Sequence, residues 1–280
     1  MRPGVVVTGA SSGIGRATVD ELVAHGFHVW ATVRAAADEQ ALMEAHPDDV
    51  TVLRADLTDA AAVAALGAAV REAGPLHGLV DNAGVAVPAP LEHIPLDAFR
   101  HQIEVNLTAQ LAVAQQVLPA LRLSRRRGSP ARIVVIGSIG GRFAGPVLGA
   151  YHASKFALVG LTDTLRAELA PAGIQVVLIE PGAVATPIWQ RGVAAGDALL
   201  ASLDDDARER YRAQIEAARA GAVRSAGRGV PPERVARVVR TALLARRPHA
   251  RYLVGRDARI GATITRVSLG VARRLSAARA

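Results

Sequence analysis

The 280-residue chain has no cysteine, which excludes disulfides, thiolate metal sites and cysteine nucleophiles together. Aromatic residues make up only 3% of it, so a core must be assembled from Ala, Val, Leu and Ile. The basic segment Ser124-Arg-Arg-Arg-Gly-Ser-Pro130 has no interleaved aromatics for base stacking, and reads as a solvated surface loop with no nucleic acid to bind. The eight histidines, at 25, 28, 46, 77, 93, 101, 152 and 249, show no close grouping, and no metal site is expected. No run approaches the roughly 18 uninterrupted apolar residues of a membrane-spanning helix. A strand signal begins within a few residues of Met1, leaving no space for a leader, and the expectation is a cytoplasmic protein.

The sharpest deficit is lysine. Of 33 basic side chains one alone is lysine, Lys155, four residues after Tyr151 in Tyr-His-Ala-Ser-Lys. On a helix this spacing puts the two on one face, and an ammonium beside a phenol lowers a pKa normally near 10. A tyrosine so tuned can take and return protons.

At the other end, the β-branched run 4–8 reads as a buried strand. Gly9-Ala-Ser-Ser-Gly-Ile-Gly15 follows it, and then a helical pattern over 16–25 closed by Gly26. Strand, glycine turn and helix start together form a dinucleotide site, because glycines let the backbone approach a pyrophosphate held at the helix N-terminus.

With these features on the page the sequence resembles the short-chain dehydrogenases/reductases. Thr8 to Gly15 is similar to that family's cofactor turn and Tyr151-x-x-x-Lys155 to its catalytic pair. Asp81-Asn82-Ala83-Gly84 resembles the family's Asn-Asn-Ala-Gly, with Asp81 the departure, one that bears on local loop hydrogen bonding. Asn106 falls in Glu-Val-Asn-Leu, Ser138 ends a strand thirteen residues before Tyr151, and Pro181-Gly182 with Thr186 matches the turn that usually holds the nicotinamide. The resemblance implies Asn106, Ser138, Tyr151 and Lys155 as catalytic residues. Tyr151 is the acid/base, Ser138 holds the substrate oxygen, Lys155 also binds the nicotinamide ribose, and Asn106 joins Lys155 in a water-linked proton relay. Cofactor contacts are implied for Gly9, Ser11, Ser12, Gly13, Ile14 and Gly15, for Arg34, Asp56 and Leu57, for Asn82, Ala83 and Gly84, and for Pro181, Gly182, Val184 and Thr186.

Strands expected near 4–8, 28–33, 50–54, 77–81, 132–137, 174–180 and 251–254 alternate with helices, the longest about 97–122 and 151–170. That order predicts a doubly wound parallel α/β sheet of the Rossmann type in a single domain, 1–256, with a substrate lid about 183–225. Charge divides the chain further: residues 1–190 carry 14 basic and 17 acidic groups, residues 191–280 carry 19 and 8. In the extension 257–280, Arg259, Arg266 and Arg273 recur every seven residues beside an apolar stripe of Ile260, Ile264, Val267, Val271 and Leu275. The stripe either packs on protein, supporting a homo-oligomer, or lets 259–279 lie on an anionic membrane; the first is preferred.

At the end of the second strand Val33 stands where an NAD-selective site places an acid, and Arg34 follows. That favours NADP, with NAD as the alternative. Val85, Val87, Leu91, Phe143, Val147, Leu148, Ile188, Trp189, Leu199 and Leu200 lie in segments expected over the pocket and point to a lipophilic alcohol or ketone. A carrier-bound 3-oxoacyl group ranks second, Arg142 and Arg191 offer an anion-binding alternative at the mouth, and a regulator that binds cofactor without chemistry is the reading from another class.

Overall fold

The computed structural model describes residues 2–267; Val271, Arg273 and Leu275 of the expected stripe lie outside the described residues. In chain order the elements are β1 (Gly4–Val7), α1 (Gly13–Val23), β2 (His28–Val33), α2 (Ala36–Ala45), β3 (Val50–Arg54), α3 (Ala60–Ala73), β4 (Leu76–Asp81), α4 (Leu96–Ile103), α5 (Ala109–Arg126), β5 (Arg132–Ile136), α6 (Gly149–Leu169), β6 (Gln175–Pro181), α7 (Ile188–Ala201), α8 (Asp205–Arg228), α9 (Pro232–Leu244), β7 (Arg251–Val254) and α10 (Arg256–Val267). The strands form one seven-stranded sheet in the order β3-β2-β1-β4-β5-β6-β7, parallel at every pairing. This is the doubly wound architecture expected, with strand limits within a residue of those read from the sequence.

The strands are apolar throughout because helices cover both faces. Strand alternation sends Val5 and Val7 of β1 to one face and Val6 to the other. On the first face they meet Val19 and Leu22 of α1, Leu42 of α2 and Val235, Val239 and Leu243 of α9. On the second, Val6 joins Val63 and Leu66 of α3, Val113 and Val117 of α5, and Leu158 and Leu165 of α6. Aliphatic side chains thus fill both layers, as the scarcity of aromatics requires.

Two segments differ from expectation. The basic stretch at 124–130 is not wholly loop: α5 runs on through Arg126, and the Arg125 guanidinium donates to the Ser129 carbonyl at 2.8 Å. Arginine is a good helix former, and cations are favoured where helix carbonyls are left unpaired. In α10 the residues that dock are Ala258 and Ala262, 0% and 3% exposed, while Ile260 is 61% exposed. The helix therefore presents small residues inward, and its stripe of large aliphatics is not the packed face at Ile260.

Leu243 is fully buried, and its Cδ2 lies 2.6 Å from where a Cβ on Gly78 of β4 would fall. Leu243→Ala should leave a cavity between α9 and the sheet and cost about 2–5 kcal/mol, read as a lower denaturant midpoint. A loss well below 1 kcal/mol would show that this layer is not tightly packed.

Candidate active site

Strand order reverses between β1 and β4, so the crevice beyond their carboxyl ends is open to a ligand. A cavity of about 490 Å³ lies there. It is bounded at one end by the β1–α1 turn and at the other by Ser138, Tyr151 and Lys155.

The glycines of the turn are required by space. Gly9 and Gly13 have φ of 64° and 57°, a region that favours glycine. A Cβ on Gly9 would stand 2.9 Å from the Ala83 Cα, and one on Gly13 would stand 3.0 Å from the Thr186 side chain. Gly15 does not line the cavity; a Cβ there would strike the Gly9 carbonyl and the Asn82 amide. Ser12 is the N-cap of α1, its hydroxyl makes no cap bond, and no acid occupies the first helical turn. The N-terminal N–H groups of α1 are thus left for an anion, and Ser11, Ser12 and Ile14 line the cavity beside them. A glycine cradle under an uncapped helix start fits a pyrophosphate.

Thr8 joins the turn to the end of β4. Its hydroxyl oxygen accepts the N–H groups of Asn82 and Ala83 at 2.8 and 3.0 Å and lies 3.2 Å from an oxygen of Asp81. Asn82 returns the connection, its amide donating to the carbonyls of Thr8 and Gly9. Asp81 therefore takes part in the loop bonding that its departure from the family pattern put in question.

Arg34, Asp56 and Leu57 line the far end of the cavity. Asp56 accepts bonds from the Thr58 N–H and hydroxyl, which hold its carboxyl below the usual range, with Arg34 adding to the effect. Asn82, Ala83 and Gly84 also line the cavity, as do Pro181, Gly182, Val184 and Thr186.

At the chemical end Tyr151 is 7% and Lys155 5% exposed. The Lys155 ammonium lies 5.9 Å from the centre of the tyrosine ring and donates to the Ile136 carbonyl at 3.0 Å. The expected lowering of the Tyr151 pKa by this lysine is not found. Burial pushes the phenol above its ordinary value, only the hydrogen bond with Ser138 acts against it, and the ammonium is turned to a carbonyl. Lys155 itself is lowered to about 8 by desolvation, opposed by the charge of Asp81. Asp81 is correspondingly raised to about 8 by burial, against its bond with Thr8 and the Lys155 charge.

Asn106 sits in a π-helical turn, Glu104–Thr108, between α4 and α5, an irregularity often found at functional sites. Its side chain accepts from the Val85 N–H at 2.8 Å and donates to the Val85 carbonyl and the Ser154 hydroxyl at 2.9 and 3.0 Å. It does not line the cavity and makes no direct side-chain bond to Lys155.

Of the expected substrate residues, Val85, Val87, Ile188 and Trp189 line the main cavity, and Val147, Leu148, Trp189 and Leu200 line a smaller one of about 30 Å³. The Trp189 ring is centred 6.0 Å from that of Tyr151. Leu91 covers Gly149, Phe143 contacts the position of Gly261, and Leu199 packs with Ala89, Ile94 and Ala150. Arg191 does line the cavity. Arg142 does not meet a ligand at the mouth: it makes a two-pronged ion pair with the fully buried Glu180, at 2.7 and 2.6 Å. A lone acid in the apolar strand Gln175–Pro181 was the available signal that some cation must turn inward.

The model of the family described as short chain dehydrogenase matches residues 4–195. The NADPH-dependent 3-dehydrocapnine reductase of Ornithobacterium rhinotracheale is 36% identical over 89% of this chain and 87% of its own length. The 17-beta-hydroxysteroid dehydrogenase type 1 of Homo sapiens is 35% identical over 89% and 76%. Among solved structures, a short-chain dehydrogenase from Streptomyces avermitilis superposes with a TM-score of 0.77 at 27% identity, covering 99% of this chain and 98% of that one. Sheet order, site geometry and these likenesses agree: the chain belongs to the short-chain dehydrogenase/reductase family and is an NAD(P)-dependent oxidoreductase acting on CH–OH groups.

Proposed function

We propose that the protein reduces the carbonyl of a lipophilic ketone or aldehyde, using NADP(H), with Tyr151 as the proton donor. The observation that carries this reading is the meeting of Ser138, Tyr151 and Lys155 at one end of a cavity whose other end is a glycine cradle. The bound nicotinamide supplies hydride. Tyr151, held as a neutral phenol by burial, delivers its proton to the substrate oxygen as negative charge develops there. Ser138 orients that oxygen by hydrogen bonding, the Lys155 ammonium would hold the nicotinamide ribose, and the proton that Tyr151 gives up is restored from solvent water. A phenol above its ordinary pKa is protonated at neutral pH, so Tyr151 has a proton to give. Asn106 acts as a positioning residue, fixing Val85 and Ser154 beside the pocket.

Val85, Val87, Ile188 and Trp189 support an apolar substrate, and the names of the reductase and steroid dehydrogenase relatives accord with it. Arg34 beside the adenine end, with Val33 in the usual acidic position, supports NADP. The residues have the fit for its 2′-phosphate, since the Arg34 guanidinium lines the cavity and makes no ion pair within 4 Å among the described residues. A 3-oxoacyl substrate on a carrier is the second reading, supported by Arg191 at the cavity wall.

Three outcomes are expected. Tyr151→Phe should abolish turnover while cofactor binding, followed by fluorescence, is kept; activity like that of the unaltered enzyme would refute the acid role. Arg34→Ala should weaken NADPH about tenfold or more through loss of a charge-assisted contact while NADH affinity changes little, and equal initial affinities for the two would remove the preference. The third concerns pH. Folded Asp81 keeps its proton to about pH 8, whereas in the unfolded chain an aspartate loses it near pH 4, so its contribution to stability is present below about pH 4 and fades as pH rises through 8. Asp81→Asn removes that dependence. Denaturant midpoints at about pH 5 and about pH 8 should show the variant gaining on the parent with pH; a constant difference would mean that Asp81 is ionised throughout.

A further inference from the structure

We propose that the C-terminal helix α10 is a strut for the nicotinamide end of the site, and that Asp257 is a positioning residue for the turn that holds the nicotinamide. This rests on the cofactor reading above, and concerns a residue in the extension beyond the core motifs.

The segment 182–185 has no regular structure of its own and is fixed by few bonds. Gly182 N–H donates to the Val254 carbonyl at 2.9 Å, Val230 N–H to the Ala183 carbonyl at 2.9 Å, and Ala185 N–H to the Val230 carbonyl at 3.0 Å. The remaining bond is the Ala183 N–H to Oδ2 of Asp257, at 2.6 Å. That carboxylate is the one side chain among these partners. It also lies directly over Gly182, where a Cβ would collide with both of its oxygens. Gly255, at φ 110°, provides the reversal from β7 into α10 that returns Asp257 to the turn.

The same helix reaches the second wall of the chemistry. Gly261, one turn further along, leaves room for the loop after Ser138: a Cβ there would stand 3.1 Å from the Phe143 ring and 3.2 Å from Ile139. Ala258 and Ala262 are buried against the body beside it. The Arg142–Glu180 ion pair ties this loop to β6 independently. The helix thus touches both the Ser138 loop and the 182–185 turn, and among the described residues its main neighbours are β7 and the turn Ile139–Gly141. A defect in the strut should therefore be felt mainly at the nicotinamide end.

The full chain carrying Asp257→Ala should bind NADPH several-fold to tenfold more weakly by calorimetry, yet bind adenosine 2′,5′-bisphosphate, which carries no nicotinamide, as the parent does. Asp257→Asn keeps an acceptor for the Ala183 N–H and should recover most of the loss. Gly261→Val, which wedges the helix from the Ser138 loop, should lower kcat with bisphosphate affinity unchanged. Parent-like NADPH affinity in Asp257→Ala overturns the proposal, and so does an equal loss on both ligands, which marks a general weakening of the fold. A parent that binds neither ligand overturns the cofactor reading and this inference together, so the two failures are distinguishable.

Discussion

The hydroxyl of Thr8 stands between two strands that the chain order separates by more than seventy residues, and the site depends on it. By accepting two N–H groups from the segment after β4, it sets the distance between the glycine turn and the wall opposite. The wall so fixed adds to the constraint at Gly9, where a Cβ would stand 2.9 Å from the Ala83 Cα. Asp81, within reach of the same hydroxyl, is coupled to Lys155 by charge alone. The glycine turn and the end of β4 are therefore one hydrogen-bonded assembly, and its link to the chemical end is electrostatic.

That assembly places charge where charge is expensive. Lys155, Asp81 and Glu180 are all buried, and each is stabilised differently. Glu180 has a two-pronged guanidinium partner, the geometry best suited to recover desolvation. Asp81 and Lys155 have only neutral hydrogen-bond partners and one another's field, and both are displaced toward their neutral forms. Glu180 is thus held by a direct ion pair, whereas Asp81 and Lys155 act on each other only through space.

Much of this was legible in the residues. β-branched runs of four to seven residues separated by helical periods point to a covered parallel sheet, because the intervening helices can bury such strands on both faces. The glycine turn, Ser138 and the tyrosine–lysine pair have fixed spacing and can be read in one dimension. What could not be read depends on direction. The sequence places Lys155 near Tyr151 but not the rotamer that turns its ammonium to Ile136, so the sign of the tyrosine's shift was missed. It likewise shows a hydrophobic stripe in α10 without showing that Ala258 and Ala262, too small to weigh in such a pattern, are the docked residues. Arg142 looked available because its partner, Glu180, is 38 residues away in sequence.

The burial of the lone lysine bears on covalent reactivity. An amine with a pKa near 8 is a better nucleophile at neutral pH than an ordinary surface lysine, since more of it is unprotonated. Every other basic side chain is a guanidinium, which stays protonated and resists acylation. The chain consequently has its whole side-chain amine chemistry at one buried atom beside the cofactor cavity. An acylating reagent small enough to enter would find a single lysine, and a ligand filling the cavity would shield it.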